Sequence, residues 1–116
     1  MNVDVLKAIS DESRLRILNV LMRGKLCVCE IEEVLEISQS NVSRHLNKLK
    51  TAKIIKMTKE AQWSYYEIHE DFIRNHQYLY LYLKHSFEHD KSLKKDMHNL
   101  VDLKANAKCV SLKIEK

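Results

Sequence analysis

The stretch LCVCEIEEVLEISQSNVSRHLNKL, Leu26 to Leu49, decides the fold. In its first half, Cys27 to Leu35, the residues Ile31, Val34 and Leu35 form an apolar stripe at helical spacing. Ile37 and Ser38 read as a turn, and Ser38 is a good N-cap for a helix from Gln39 to about Lys50. In that second helix Val42, Leu46 and Leu49 share one face. At about 100° per residue, Ser40, Arg44, Asn47 and Lys48 point the opposite way, with Asn41, Ser43 and His45 flanking them. Two short helices joined by a tight turn, the second polar and basic outside, make a helix-turn-helix.

Upstream, Asn2 to Ile9 carries a short helical pattern. Ser10 or Asp11 then caps a helix in which Leu15, Leu18 and Met22 recur, and Gly24 fits its end. Downstream the period changes. Ile54, Ile55 and Met57, then Trp63, Tyr65, Tyr66 and Ile68, flank a polar stretch and predict an antiparallel hairpin. A hairpin after a helix-turn-helix is a wing. Glu70 to about His89 reads as one long helix, too apolar to lie alone in water, which with the first helix offers a dimer seam. The tail has helical spacing to about Leu103. The expected fold is mainly α with a small β-hairpin, a winged helix-turn-helix in the order α-α-α-α-β-β-α. Residues 1–90 would form the DNA-binding and dimerisation domain, and 91–116 a helical or flexible tail.

The 116 residues suffice for one domain, and 45% apolar with 31% charged residues excludes a disordered or membranous chain. No apolar run approaches the roughly 18 residues of a membrane span, and MNVDVLKAIS lacks the core of a secretory signal. The expected compartment is the cytoplasm, where the three cysteines would be thiols. No glycine-rich phosphate loop, CxxC motif or paired catalytic carboxylate suggests an enzyme. The net charge of +4 is modest, but from Ser38 to Lys59 every charged residue is basic, beside an acid-rich segment holding Glu30, Glu32, Glu33 and Glu36.

That pattern makes Gln39, Ser40, Asn41, Ser43, Arg44, His45, Asn47 and Lys48 candidates for contacts to double-stranded DNA. Arginine can read guanine, and asparagine or glutamine can read adenine. Lys48, Lys50 and the wing residue Lys59 suit phosphates. For His45 the competing role is a capping or core hydrogen bond. Arg14 and Arg16 suit either ion pairs or phosphate. Cys27 and Cys29 offer soft ligands, which select soft ions over magnesium or calcium; the bland alternative is two small core hydrophobes. On a regular helix residues i and i+2 lie about 200° apart, so both thiols can hold one ion only where the helix start is extended.

The segments ISDESRLRIL, LCVCEI, SQSNVSRHLNKL and WSYYEI resemble the ArsR/SmtB family of bacterial metal-responsive repressors over roughly residues 3 to 90. The resemblance implies a homodimer that binds an inverted-repeat operator and releases it when thiophilic ions bind. The LCVCEI pair is characteristic of the arsenic-responsive and cadmium/lead-responsive branches. It implies arsenite or antimonite as inducer at Cys27 and Cys29, with cadmium, lead or zinc as alternatives and a thiol redox switch as a rival. The chain departs from the family at Glu32, where the arsenic pattern has a third cysteine, and in lacking the N-terminal cysteines of cadmium-type members. It also has Lys53 and Ala61 where glycines are common. In the zinc-type pattern on the long helix, His85 and Glu88 fit one ligand pair, but Phe72 and Arg74 stand at the other. Cys109 is a third ligand, a partner-chain ligand or idle.

Overall fold

Short polar caps punctuate the chain. Asn2 caps α1 (Val3–Ile9), its side chain accepting from the Val5 N–H. Asp11 caps α2 (Glu12–Leu21) by accepting from the Arg14 N–H. After Gly24, which takes φ 145, come β1 (Leu26–Cys27) and α3 (Val28–Leu35). Ser38 caps α4 (Gln39–Thr51), and β2 (Ile55–Glu60) and β3 (Trp63–Ile68) follow. The chain closes with α5 (Glu70–Asn75), α6 (Gln77–Glu88), a 3-10 turn (Lys91–Leu93) and α7 (Lys94–Asn106). This computed structural model describes residues 2–106, so Cys109 lies outside the described residues. No helix among them is long and apolar enough to cross a membrane.

The core gathers the α3 and α4 stripes expected from the sequence; of the α2 stripe, Leu18 is buried and Leu15 and Met22 are only partly so. Ile17 and Leu18 of α2, Ile31 and Val34 of α3, and Val42, Leu46 and Leu49 of α4 are buried together with Ile54, Ile55 and Phe72. The winged helix-turn-helix class stands, but its order gains three features. First, the hairpin is part of a three-stranded antiparallel sheet in the order β1-β3-β2. Leu26 pairs with Tyr66 and Cys27 with Tyr65. A strand this short carries no period of its own. Second, the expected long helix is broken at His76 (φ −128, ψ 46) into α5 and α6. No glycine or proline stands there. The His76 ring lies 5.8 Å from Phe72, which also meets Tyr80 edge-on at 6.4 Å, so the break accompanies docking of the buried Phe72.

Third, α7 joins the same core through Leu100 and Leu103, packed against α3 and α2. The wing turn is a two-residue loop, Ala61 and Gln62, between the paired Glu60 and Trp63. Lys53 (φ 60) and Ala61 (φ 57) both occupy the left-handed region. Glycine adopts that conformation freely, whereas another residue meets a cost of about 1 kcal/mol. The two positions where the resemblance implies glycine are therefore positions whose backbone calls for it.

Candidate functional site

Helix α4 presents a continuous polar face. Gln39, Ser40, Asn41, Ser43, Arg44, Asn47 and Lys48 are all exposed, while Val42, Leu46 and Leu49 hold the helix to the body. The Ser38 hydroxyl accepts the Asn41 N–H at 3.4 Å, which fixes where the helix begins. Arg44 reaches back along the helix to the Asn41 side-chain oxygen at 3.5 Å, so these two exposed side chains lie together. Lys48 and Lys50 occupy the last turn, favourably placed against the helix dipole. On the wing, Lys59 is exposed near the tip of β2. Lys56 is compensated: its ammonium lies 2.8 Å from Glu70, which raises the lysine pKa and lowers that of the glutamate.

Of the two roles open to His45, the core hydrogen bond is the one present. It is 4% exposed, buried beneath the exposed face of α4, with its Nε2 3.4 Å from the Arg44 guanidinium. Its Nδ1 accepts the Arg14 Nε–H at 3.1 Å, and the same guanidinium donates to the Ala8 carbonyl at 3.1 Å. An imidazole whose Nδ1 accepts is neutral, with its proton on Nε2. Burial pushes the His45 pKa down; Asp11, 3.9 Å away, opposes this, and Arg44 and Arg14 reinforce it. His45 thus pins α4 to α2 and, through Arg14, to α1. The helical period alone places residue 45 at the edge of the polar face, and its partner Arg14 on another helix is what draws it inward. Arg14 and Arg16 are both committed inward, Arg16 to Asp96.

The cysteines sit at the head of α3. Cys27 is buried and ends β1 as the N-cap of α3, with extended backbone (φ −89, ψ 169). Cys29 is exposed in the first helical turn. A residue at the N-cap directs its side chain over the second and third helical positions, and Cys29 is the second. The backbone is extended at Cys27 and helical from Val28 onward, so one thiol lies just before the helix and the other in its first turn. Glu30, 1% exposed, accepts the Cys27 N–H at 2.9 Å and is turned toward the cap. Glu32 lies half-buried further along α3. Among the described residues no group of three His, Cys, Asp or Glu side chains converges on a metal-sized point. The His85 and His89 rings lie 4.4 Å apart, tilted by 40°, and Asp71 pairs with Arg74.

Residues 11–56 match the model of a family described as bacterial regulatory protein, arsR family. Over 68 residues the chain is 41% identical to the arsenic resistance transcriptional regulator ArsR1 of Pseudomonas putida, a match covering 58% of this chain and 53% of that one. The chain thus spans about half the length of that relative. It is 42% identical over 72 residues to an uncharacterised HTH-type transcriptional regulator of Methanocaldococcus jannaschii, covering 61% of this chain and 81% of the other. Among solved structures it is similar to a homodimeric winged helix-turn-helix DNA-binding domain from Mycobacterium bovis, a possible ArsR-family regulator. There the TM-score is 0.62 at 27% identity, covering 77% of this chain and 83% of that one.

Proposed function

The chain belongs to the ArsR family of transcriptional regulators, which are not enzymes, and from that premise we propose that it is a homodimeric repressor whose operator affinity falls when arsenite or antimonite engages Cys27 and Cys29. The observation that carries this reading is the extended, N-cap conformation of Cys27, two residues before the first-turn Cys29. The Arg44 face of α4 reads the major groove, Lys48, Lys50 and Lys59 hold phosphate, and an inverted repeat matches two copies.

The second copy covers two apolar strips. Tyr78, Leu81 and Tyr82 share a face of α6 and are 83%, 52% and 67% exposed; Val3 and Leu6 share a face of α1. Strips of this kind are unusual on a monomer.

The head of α3 is joined to both DNA-contacting parts. Cys27 pairs with Tyr65 of the wing strand β3, and α3 runs through Glu36 and Ile37 into the Ser38 cap of α4. Drawing the Cys27 and Cys29 sulphurs together on one soft ion changes the first turn of α3. That change shifts β1 against the wing and α3 against the reader helix. A hundred-fold release corresponds to about 2.7 kcal/mol of coupling, within the ordinary allosteric range.

The exposed Cys29 thiol keeps a redox switch as the second reading. The test is fluorescence anisotropy with a labelled duplex spanning the DNA upstream of the protein's own coding sequence. Tight binding that weakens linearly in log salt, with about a hundred-fold release by arsenite, is the expected result. Release by peroxide but not arsenite selects the redox switch, and no duplex binding at low salt ends the repressor reading.

A further inference from the structure

A helix leaves its last carbonyls without intrahelical partners. At the tail of α3 two of these are taken by side chains from elsewhere. The Val34 carbonyl accepts Asn99 Nδ2 of α7 at 2.9 Å. The Leu35 carbonyl accepts Arg16 Nη2 of α2 at 2.9 Å. Arg16 is itself held by Asp96 of α7, with Nε to Oδ2 at 2.8 Å and Nη2 to Oδ1 at 2.9 Å. Asp96 is 3% exposed, and its carboxylate raises the Arg16 pKa further. Outside this pair Lys95 meets Glu36 at 2.9 Å. Glu36 ends the helix in the left-handed region (φ 57), an unfavourable place for a residue with a side chain. Two residues later Ser38 starts the reader helix.

We propose that α7 sets the pitch of the reader helix, with Asp96 and Asn99 as positioning residues for duplex binding. They act through Arg16 and the carbonyls of Val34 and Leu35. Asp96 and Asn99 lie one turn apart on a single face of α7, so the two grips form one device. They fix where α3 ends and which way the Glu36–Ser38 turn leaves it. Neither residue is on the DNA-facing surface. The inference rests on the duplex-binding reading above, and the experiment separates the two.

Asp96→Asn, Asn99→Asp and Leu100→Ala are compared by duplex anisotropy at a temperature where circular dichroism shows each folded. Amide hydrogen exchange at Glu36, Ile37 and Ser38 is followed in the same samples. Asp96→Asn and Asn99→Asp are expected to weaken duplex binding about ten-fold and to speed exchange in the turn. Leu100→Ala removes packing but no grip, so it lowers the melting temperature while duplex affinity stays within about two-fold. The proposal is overturned if the two polar variants bind like wild type, if exchange in the turn is unchanged, or if Leu100→Ala weakens binding as much. Should the wild-type protein not bind the duplex, the repressor reading fails, and the exchange data alone still confirm or overturn the grip.

Discussion

Helices α3 and α4 are neighbours of similar stripe, yet they expose opposite things. α3 turns its chemistry to its two ends: two cysteines and Glu30 at the head, and carbonyls gripped by Asn99 and Arg16 at the tail. α4 turns its chemistry to one long side, where seven of its residues from Gln39 to Lys48 are exposed. On the proposed reading, a helix gripped at its tail and carrying one exposed thiol, Cys29, at its head would work as a lever. A helix with a polar flank and an apolar back works as a reading surface. On the proposed function, sensing and DNA contact would then share no residue.

The sharpest break of that division is at the α3 head. Cys27→Ser and Cys29→Ser are each expected to hold duplex affinity within about two-fold and to lose the whole of the roughly hundred-fold arsenite response. Serine is a better N-cap than cysteine, so Cys27→Ser keeps the start of α3. Anisotropy titrations of both variants with and without arsenite decide it. Release at the wild-type arsenite concentration would show that the pair does not sense.

The next largest effect belongs to α4. Arg44→Ala is expected to weaken duplex binding about ten- to hundred-fold, as loss of a base contact does, and to leave the arsenite response of the remaining complex intact. Lys59→Ala on the wing costs a few-fold and lowers the log-log salt slope by about one, as loss of a single phosphate contact does. Salt titrations of both variants provide the readout. Equal losses from Arg44 and Lys59, or a blunted arsenite response in Arg44→Ala, would erase the distinction between reader and lever.

Much of this was legible in order along the chain. The apolar stripes of α2, α3 and α4 repeat over two or more turns, so periodicity located them; Ser38 marked one start, and of Ser10 and Asp11 the structure picks Asp11. The aromatic and β-branched runs marked the wing. What periodicity cannot carry is a feature made by a distant partner. β1 is a strand only because Tyr65 and Tyr66 pair with it. The break at His76 comes with no glycine or proline and goes with the docking of Phe72. Asp96 carries no local signal, because the partner that takes both its oxygens, Arg16, is 80 residues away. The reading face was visible because it is local. The grip on α3 was invisible because it is not.

His45 supplies the smallest and most specific test, since it lies on the reader helix yet belongs to neither the lever nor the reading face. Burial and the two arginines depress its folded-state pKa below the ordinary 6.5. The sign follows from proton counting. Above about pH 6.5 the imidazole is neutral in both states, and its contribution to stability is fully present. As pH falls below that value the unfolded chain takes the proton first, so stability drops until the folded-state pKa is passed. His45→Asn retains an acceptor for the Arg14 Nε–H and has nothing to titrate. It is expected to match wild type at pH 8 and to lose less stability by pH 5.5. His45→Leu also removes the titration, but it strips Arg14 of its acceptor and costs about 1 kcal/mol at every pH. Urea unfolding of the three proteins at both pH values measures this, and the remaining histidines cancel in the differences. If His45→Asn loses as much stability as wild type on acidification, the imidazole is not the buried neutral pin. If it weakens the duplex as Arg44→Ala does, then the back of α4 reads DNA as directly as its face, and the comparison with α3 fails.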